Sequence, residues 1–219
     1  MDIVWDGKTL LESFFEDDAG LRQRVADAGR AYDWATLLEL LQKHPNCVNS
    51  TRPGGASWYA PLHQAARGGA PVAVVQELID LGGWRTLRNA RGETPLDIAH
   101  THGHPRSWGV LAPEYKHQVR LEKLAEVQRH FHAVIRQRAA SLIEEHQLRL
   151  PELEPLLELE EPKMWFPVPG MSGGFSYALR TRGAEITLTT ESSCRVVGGS
   201  GQRHKITSGG WRLVEAGFA

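Results

Sequence analysis

Apolar positions recur at helical spacing through most of this chain and switch to alternation near its end. Leu10, Leu11, Phe14 and Phe15 are followed by Leu21 and Val25, then by Leu37, Leu38, Leu40 and Leu41. Val74, Val75, Leu78 and Ile79 form a further stripe closed by Gly82-Gly83. Leu121, Leu124, Val127, Phe131, Val134, Ile135 and Leu142 then recur at threes and fours, which predicts one long amphipathic helix, or two end to end, from Pro113 to about His146. Beyond it, Ile186 and Leu188 alternate with Thr187 and Thr189 as in a half-buried strand. Helices first and strands last predict an α+β chain: a helical stack with caps and a long helix, followed by a small antiparallel β module.

Two segments of the helical part read alike. Ala60-Pro61-Leu62-His63-Gln64-Ala65-Ala66-Arg67-Gly68-Gly69 and Thr94-Pro95-Leu96-Asp97-Ile98-Ala99-His100-Thr101-His102-Gly103 are 34 residues apart. In each, proline opens a short helix where its missing N–H costs least, and glycine ends it. A fainter earlier unit runs from Ala28-Gly29-Arg30-Ala31-Tyr32-Asp33-Trp34 to Pro45-Asn46-Cys47-Val48-Asn49. This periodicity with a T-P-L-H-x-A core resembles ankyrin repeats, about three of them over residues 28–110. The resemblance implies stacked helix pairs joined by finger loops, with a concave face that binds another protein. The connector from Ser50 to Tyr59 is longer than that at Arg88 to Glu93 and predicts an enlarged finger.

The expected organisation is an N-terminal helical cap over 1–27, repeats over 28–112, a long capping helix over 113–149, an acidic Pro-rich linker over 150–163 and a C-terminal antiparallel β module over 164–219. The linker carries three prolines and five glutamates, but its interleaved leucines predict burial along one side. In the β module, strand-like runs cover Glu185 to Glu191, Cys194 to Val197 and Arg203 to Thr207, with Gly198-Gly199-Ser200-Gly201 as a hairpin turn. Trp211, Leu213, Val214 and Phe218 are expected to close its core. This tail resembles C-terminal segments of uncharacterised bacterial proteins, a likeness that brings no activity with it.

A formal net charge of −1 gives no overall field toward nucleic acid or an anionic membrane. Locally, residues 1–18 hold six acids against Lys8, and residues 163–219 hold seven Lys or Arg against three glutamates. Two distant cysteines, Cys47 and Cys194, fit neither a disulfide scaffold nor a metal site, and a reducing cytoplasm is the expected setting. Residues 1–6 show no signal pattern, and no run long enough to span a membrane occurs in the sequence.

Candidate chemistry falls into two sets. On the repeat surface, Arg52, Trp58, Tyr59, Arg67, Arg88 and Arg91 are the candidate protein-binding residues, with burial of Trp58 beneath its loop as the alternative. In the β module, Glu191, Ser192, Arg195, Gln202, Arg203 and His204 form the candidate ligand pocket, against ordinary surface ion pairs. A phosphate loop at Gly198 to Gly201 lacks its following helix. The pair His100 and His104 lacks further ligands, and a His after this glycine bonds between loops in the family the repeats resemble. His130 and His132 point apart on a helix. Ser193, Cys194 and His204 have no carboxylate to orient a base. No catalytic residue, cofactor or metal is expected. The expected function is that of a non-enzymatic adaptor, inhibitor or regulator of another protein, of an immunity or antitoxin kind. The alternative is a ligand-binding or catalytic C-terminal module carried on the repeats. A monomer is expected, with a coiled-coil dimer through the long helix as the alternative; neither membrane nor nucleic acid is an expected partner.

Overall fold

The computed structural model describes residues 3–183, 185–194 and 200–217. The chain is α+β and divides into two units, one of residues 9–114 and one of residues 1–8 with 115–219.

The helical unit contains α1 (Glu16–Ala31), α2 (Trp34–Lys43), α3 (Pro61–Gly68), α4 (Val72–Asp80), α5 (Pro95–Thr101) and α6 (Trp108–Leu111). Helices α1, α3 and α5 pack side by side as one layer, and α2, α4 and α6 form a second. Between them lie Leu37, Leu41, Leu62, Ala66, Val75, Leu78, Ile98 and Leu111, all buried. The small residues Ala65, Ala66 and Ala99 line this core and allow the layers their close approach. Proline occupies the first turn of both α3 and α5. Thr94 caps α5 with reciprocal bonds, its hydroxyl accepting from the Asp97 amide while the Asp97 carboxylate accepts from the Thr94 amide at 2.9 Å. Gly69, at φ 61, takes the left-handed conformation that ends α3.

Loop side chains tie successive pairs together. Asn49 donates to the Gly82 carbonyl at 2.8 Å and accepts from the Trp84 amide at 2.9 Å. His104 reaches back from beyond α5 to the Arg67 carbonyl at 3.1 Å, the loop-bridging role expected for a histidine at this place.

The second unit is a five-stranded antiparallel meander of β1 (Lys163–Val168), β2 (Gly173–Arg182), β3 (Glu185–Cys194), β4 (Ser200–Thr207) and β5 (Gly210–Ala216), in sequential order. Helix α7 (Leu121–Glu145), broken by a non-helical Ala139, covers one face of it. Phe131 of α7 meets Tyr177 of β2 with ring centroids 5.0 Å apart, among buried Phe166, Phe175, Leu188 and Ile206.

Several expectations are corrected. The long helix starts at Leu121 rather than Pro113, because residues 115–117 run along the acidic segment instead: the Lys116 amide donates to the Leu157 carbonyl at 2.8 Å, and His117 bonds the Leu159 carbonyl at 2.9 Å. It packs on the sheet of its own unit and is not grouped with the helical stack it was expected to cap. Within residues 150–163 the burial expected from the interleaved leucines is found, with Leu153, Pro155, Leu156 and Leu157 buried, while the local form is a short 3-10 helix. The 1–27 cap is shorter than expected. Trp5 belongs to the sheet unit, where its amide donates to the Trp165 carbonyl at 2.8 Å and its indole N–H to the Arg149 carbonyl at 3.1 Å. The Arg149 guanidinium covers the Trp5 ring at 5.0 Å.

In the sheet, Glu185 to Cys194 is a single strand, and Gly201, read as part of a turn, is already in β4. Trp211, Leu213 and Val214 do not close the core: they are 43%, 52% and 53% exposed, because β5 is an edge strand with no further strand beside it, although the Trp211 ring meets His130 of α7 with centroids 5.5 Å apart. Val196 to Gly199 and Phe218 lie outside the described residues.

Candidate functional site

The finger loop from Ser50 to Tyr59 turns at Gly54, whose φ is 70. Its tip is pinned where the Gly54 amide donates to the Thr9 carbonyl at 2.8 Å. The next finger turns at Gly92 and is organised by Asn89, whose side-chain oxygen accepts from the amides of Arg91 and Glu93 at 2.8 and 3.0 Å. One backbone bond, from the Ala90 amide to the Ser57 carbonyl at 3.0 Å, joins the two fingers.

Together with the ends of α1 and α3, the fingers enclose an open groove of about 710 Å³. Arg52, Tyr59, Arg67 and Arg91 all line it, so four of the six residues selected on the repeat surface come together there. Arg30 and Tyr32 complete its polar wall, between small residues such as Ala56, Ser57 and Ala90. Trp58 and Arg88 are not brought to the groove. Trp58 is half-buried with φ 53, and Arg88 donates to the Gly92 carbonyl at 2.9 Å, supporting its own finger.

No aspartate or glutamate lines the groove. Tyr59 and then Tyr32, lying beside the Arg67 guanidinium, raise its pKa. Arg52 pairs with Asp27 of α1. Among the described residues, Arg30, Arg67 and Arg91 form no ion pair. Tyr32 adopts φ 59 and lies over Gly68, while the Tyr59 ring packs on that of His63 with centroids 5.6 Å apart. The site is thus a cationic concavity whose tyrosines are fixed by packing, and whose guanidinium groups offer planar, forked donors to carboxylates.

Arg30 and Tyr32 escaped the sequence reading, although a signal existed. Ala28-Gly29-Arg30 of the faint first unit occupies the place of Ala65-Ala66-Arg67 in the clear second one, at the end of the corresponding helix.

The residues selected in the β module do not converge. Pairing sets Glu191 opposite Arg203, Ser192 opposite Gln202 and Thr190 opposite His204. Glu191 and Arg203 therefore share the outer face, where the Arg203 Nε donates to the carboxylate at 2.7 Å. Ser192, Gln202 and His204 share the face that α7 covers. There Arg138 donates to the Ser200 carbonyl at 3.1 Å, and burial, reinforced by the Arg138 charge, lowers the His204 pKa. Arg195 lies outside the described residues. Alternation along a strand separates neighbours in sequence by the thickness of the sheet. Ser193 and His204 are likewise on opposite faces.

Among the described residues no cluster of three metal-ligating side chains exists. The His100 ring meets Trp108 at 4.3 Å, His130 bonds the Ser208 carbonyl at 3.3 Å, and His132 bonds the Pro151 carbonyl at 2.8 Å. No helix among these residues is long and apolar enough to cross a membrane.

No family model matches the sequence, and no curated protein matches it. Among solved structures, the chain is similar to a chain of the Bd0816 predatory endopeptidase from Bdellovibrio bacteriovorus in complex with immunity protein Bd3460, at 20% identity and a TM-score of 0.36. The match covers 55% of this chain and 66% of that one.

Proposed function

We propose that this chain is a protein-binding regulator whose helical unit is a short ankyrin-type stack and whose groove receives the partner. The observation that carries the reading is the meeting of Arg52, Tyr59, Arg67 and Arg91 in one groove, from two finger loops and a helix end. Arginine and tyrosine dominate the residues that contribute most at protein interfaces, because each offers a large contact area together with hydrogen-bonding groups. The 34-residue echo and the two helical layers support the ankyrin reading. Binding that blocks or tethers the partner is the activity: an adaptor, inhibitor or immunity-type role, without chemistry of its own. The β module serves as a rigid attached unit, since its polar residues are divided between two faces.

The test is affinity capture from a lysate of the source organism with the wild type, a Tyr59→Ala/Arg67→Ala groove variant and an Arg203→Ala sheet variant. A protein retained by the wild type and the sheet variant and lost from the groove variant supports the reading. Capture that survives the groove substitutions and fails with the sheet substitution overturns it.

A further inference from the structure

The composition of the groove specifies what kind of segment fits it. Four guanidinium groups, Arg30, Arg52, Arg67 and Arg91, face one open volume with no lining carboxylate, in a chain whose formal net charge is −1. The cationic character is therefore a local arrangement and not a reflection of the whole composition. Arg30, Arg67 and Arg91 make no ion pair among the described residues, while Arg52 is held by Asp27, a residue more than half exposed.

Like charges gathered in one concavity repel one another. The repulsion is relieved when an incoming segment brings carboxylates, each able to accept two parallel N–H bonds from a guanidinium. We infer that the partner docks an acidic segment, a run of aspartate and glutamate side chains, into this groove, an inference that rests on the protein-binding reading of the same surface. Asp27 then acts as a resident competitor: its carboxylate occupies Arg52 until a carboxylate of the partner takes its place.

Nucleic acid is the other polyanion such a surface could attract, and the geometry disfavours it. Single-stranded nucleic acid is held by bases stacking on open aromatic faces. Here the Tyr59 ring packs on His63 and the Tyr32 ring on Trp34, each with centroids 5.6 Å apart, and Gly68 lies under Tyr32. Both tyrosines line the groove together with Arg67. Small residues along the wall, including Ala56, Ser57 and Ala90, leave room for a peptide backbone to approach.

The experiment is fluorescence anisotropy on the full chain with a labelled peptide of alternating aspartate and glutamate. A lysine-arginine peptide, a short single-stranded DNA and inorganic phosphate serve as comparison probes. The acidic peptide is expected to bind, to weaken by about tenfold or more for Arg67→Ala and for Arg91→Ala, and to be unaffected by Arg203→Ala. Asp27→Asn is expected to tighten it, because Arg52 is released. Arg91 is exposed on a finger tip, so its variant keeps the fold even where Arg67→Ala disturbs the tyrosines. Tighter binding of the DNA than of the peptide, or peptide binding indifferent to both arginine substitutions, overturns the inference. Failure here is distinct from failure of the protein-binding reading. If a captured partner still depends on the groove but is neither displaced by the acidic peptide nor weakened by about 0.5 M salt, the groove binds protein and the acidic class is wrong.

Discussion

The ring of Tyr32 lies so close to Gly68 that a Cβ on that glycine would stand 2.5 Å from it. Tyr32 is the left-handed cap of α1, Gly68 is the last residue of α3, and the guanidinium of Arg67, next to Gly68 in the chain, lies beside the same tyrosine. Gly68→Ala is expected to destabilise the helical unit by about 1–3 kcal/mol, because the added Cβ presses on the packed Tyr32 ring close to its own backbone and forces it to move. Partner affinity should fall sharply, because Tyr32 no longer positions Arg67. Thermal melts and a binding titration on one preparation, below the melting transition, separate these effects; undiminished affinity of the folded variant would contradict the proposed role.

His104 donates from Nε2 to the Arg67 carbonyl, which can only accept, and its ring covers Gly69. His104→Ala is expected to cost about 1 kcal/mol, a typical net value for one such bond. Amide exchange should quicken around residues 66–70 before it does elsewhere in the helical unit. Uniform quickening across both units would contradict this local role.

Acid should weaken the sheet unit first. Burial lowers the pKa of His132 from its ordinary 6.5, and burial with the nearby Arg138 charge lowers that of His204. In the unfolded chain both imidazoles take up protons near 6.5, while the folded ones stay neutral to lower pH. Stability is therefore full above 6.5, falls as pH drops through that value and levels off below the folded pKa values. Melts followed from about pH 7.5 to about pH 5.5 should show this slope, and His132→Gln with His204→Gln should flatten it. A profile unchanged by the pair of substitutions would contradict it.

Trp5 provides a test of the division into units. It is 2% exposed and bridges Trp165 and Arg149. Trp5→Ala is expected to cost the sheet unit about 3–5 kcal/mol and to leave exchange in α3 and α5 unchanged, although residue 5 stands only four positions before the helical unit begins at Thr9. Loss of protection in α3 instead would contradict the division.

Local signals made the helical unit legible. Pro61 and Pro95 mark helix starts, and Gly69 marks a helix end, because their backbone preferences act at the residue itself. Four groove residues were legible for the same reason, as they sit on turns and helix ends of the helical unit. What failed needed information from far along the chain. The stripe of α7 shows that one side is buried but not that a sheet beginning 18 residues after the helix ends buries it. Trp5 reaches Arg149 across 144 residues. The polar set at Glu191 to His204 looked like a pocket because the strand register, which sets Arg203 opposite Glu191 and His204 opposite Thr190 on the other face, is fixed by pairing partners. Trp211 and Leu213 looked like core because apolar character does not reveal an edge.

The most direct test of the groove is chemical-shift mapping of the full chain, with arginine side-chain Nε resonances resolved, during titration with the captured partner or the acidic peptide. The expected result is that the largest changes fall on Arg52, Tyr59, Arg67 and Arg91, with those of Arg180 and Arg203 unmoved. Changes concentrated on the outer face of the sheet, with the groove arginines silent, would contradict the central claim.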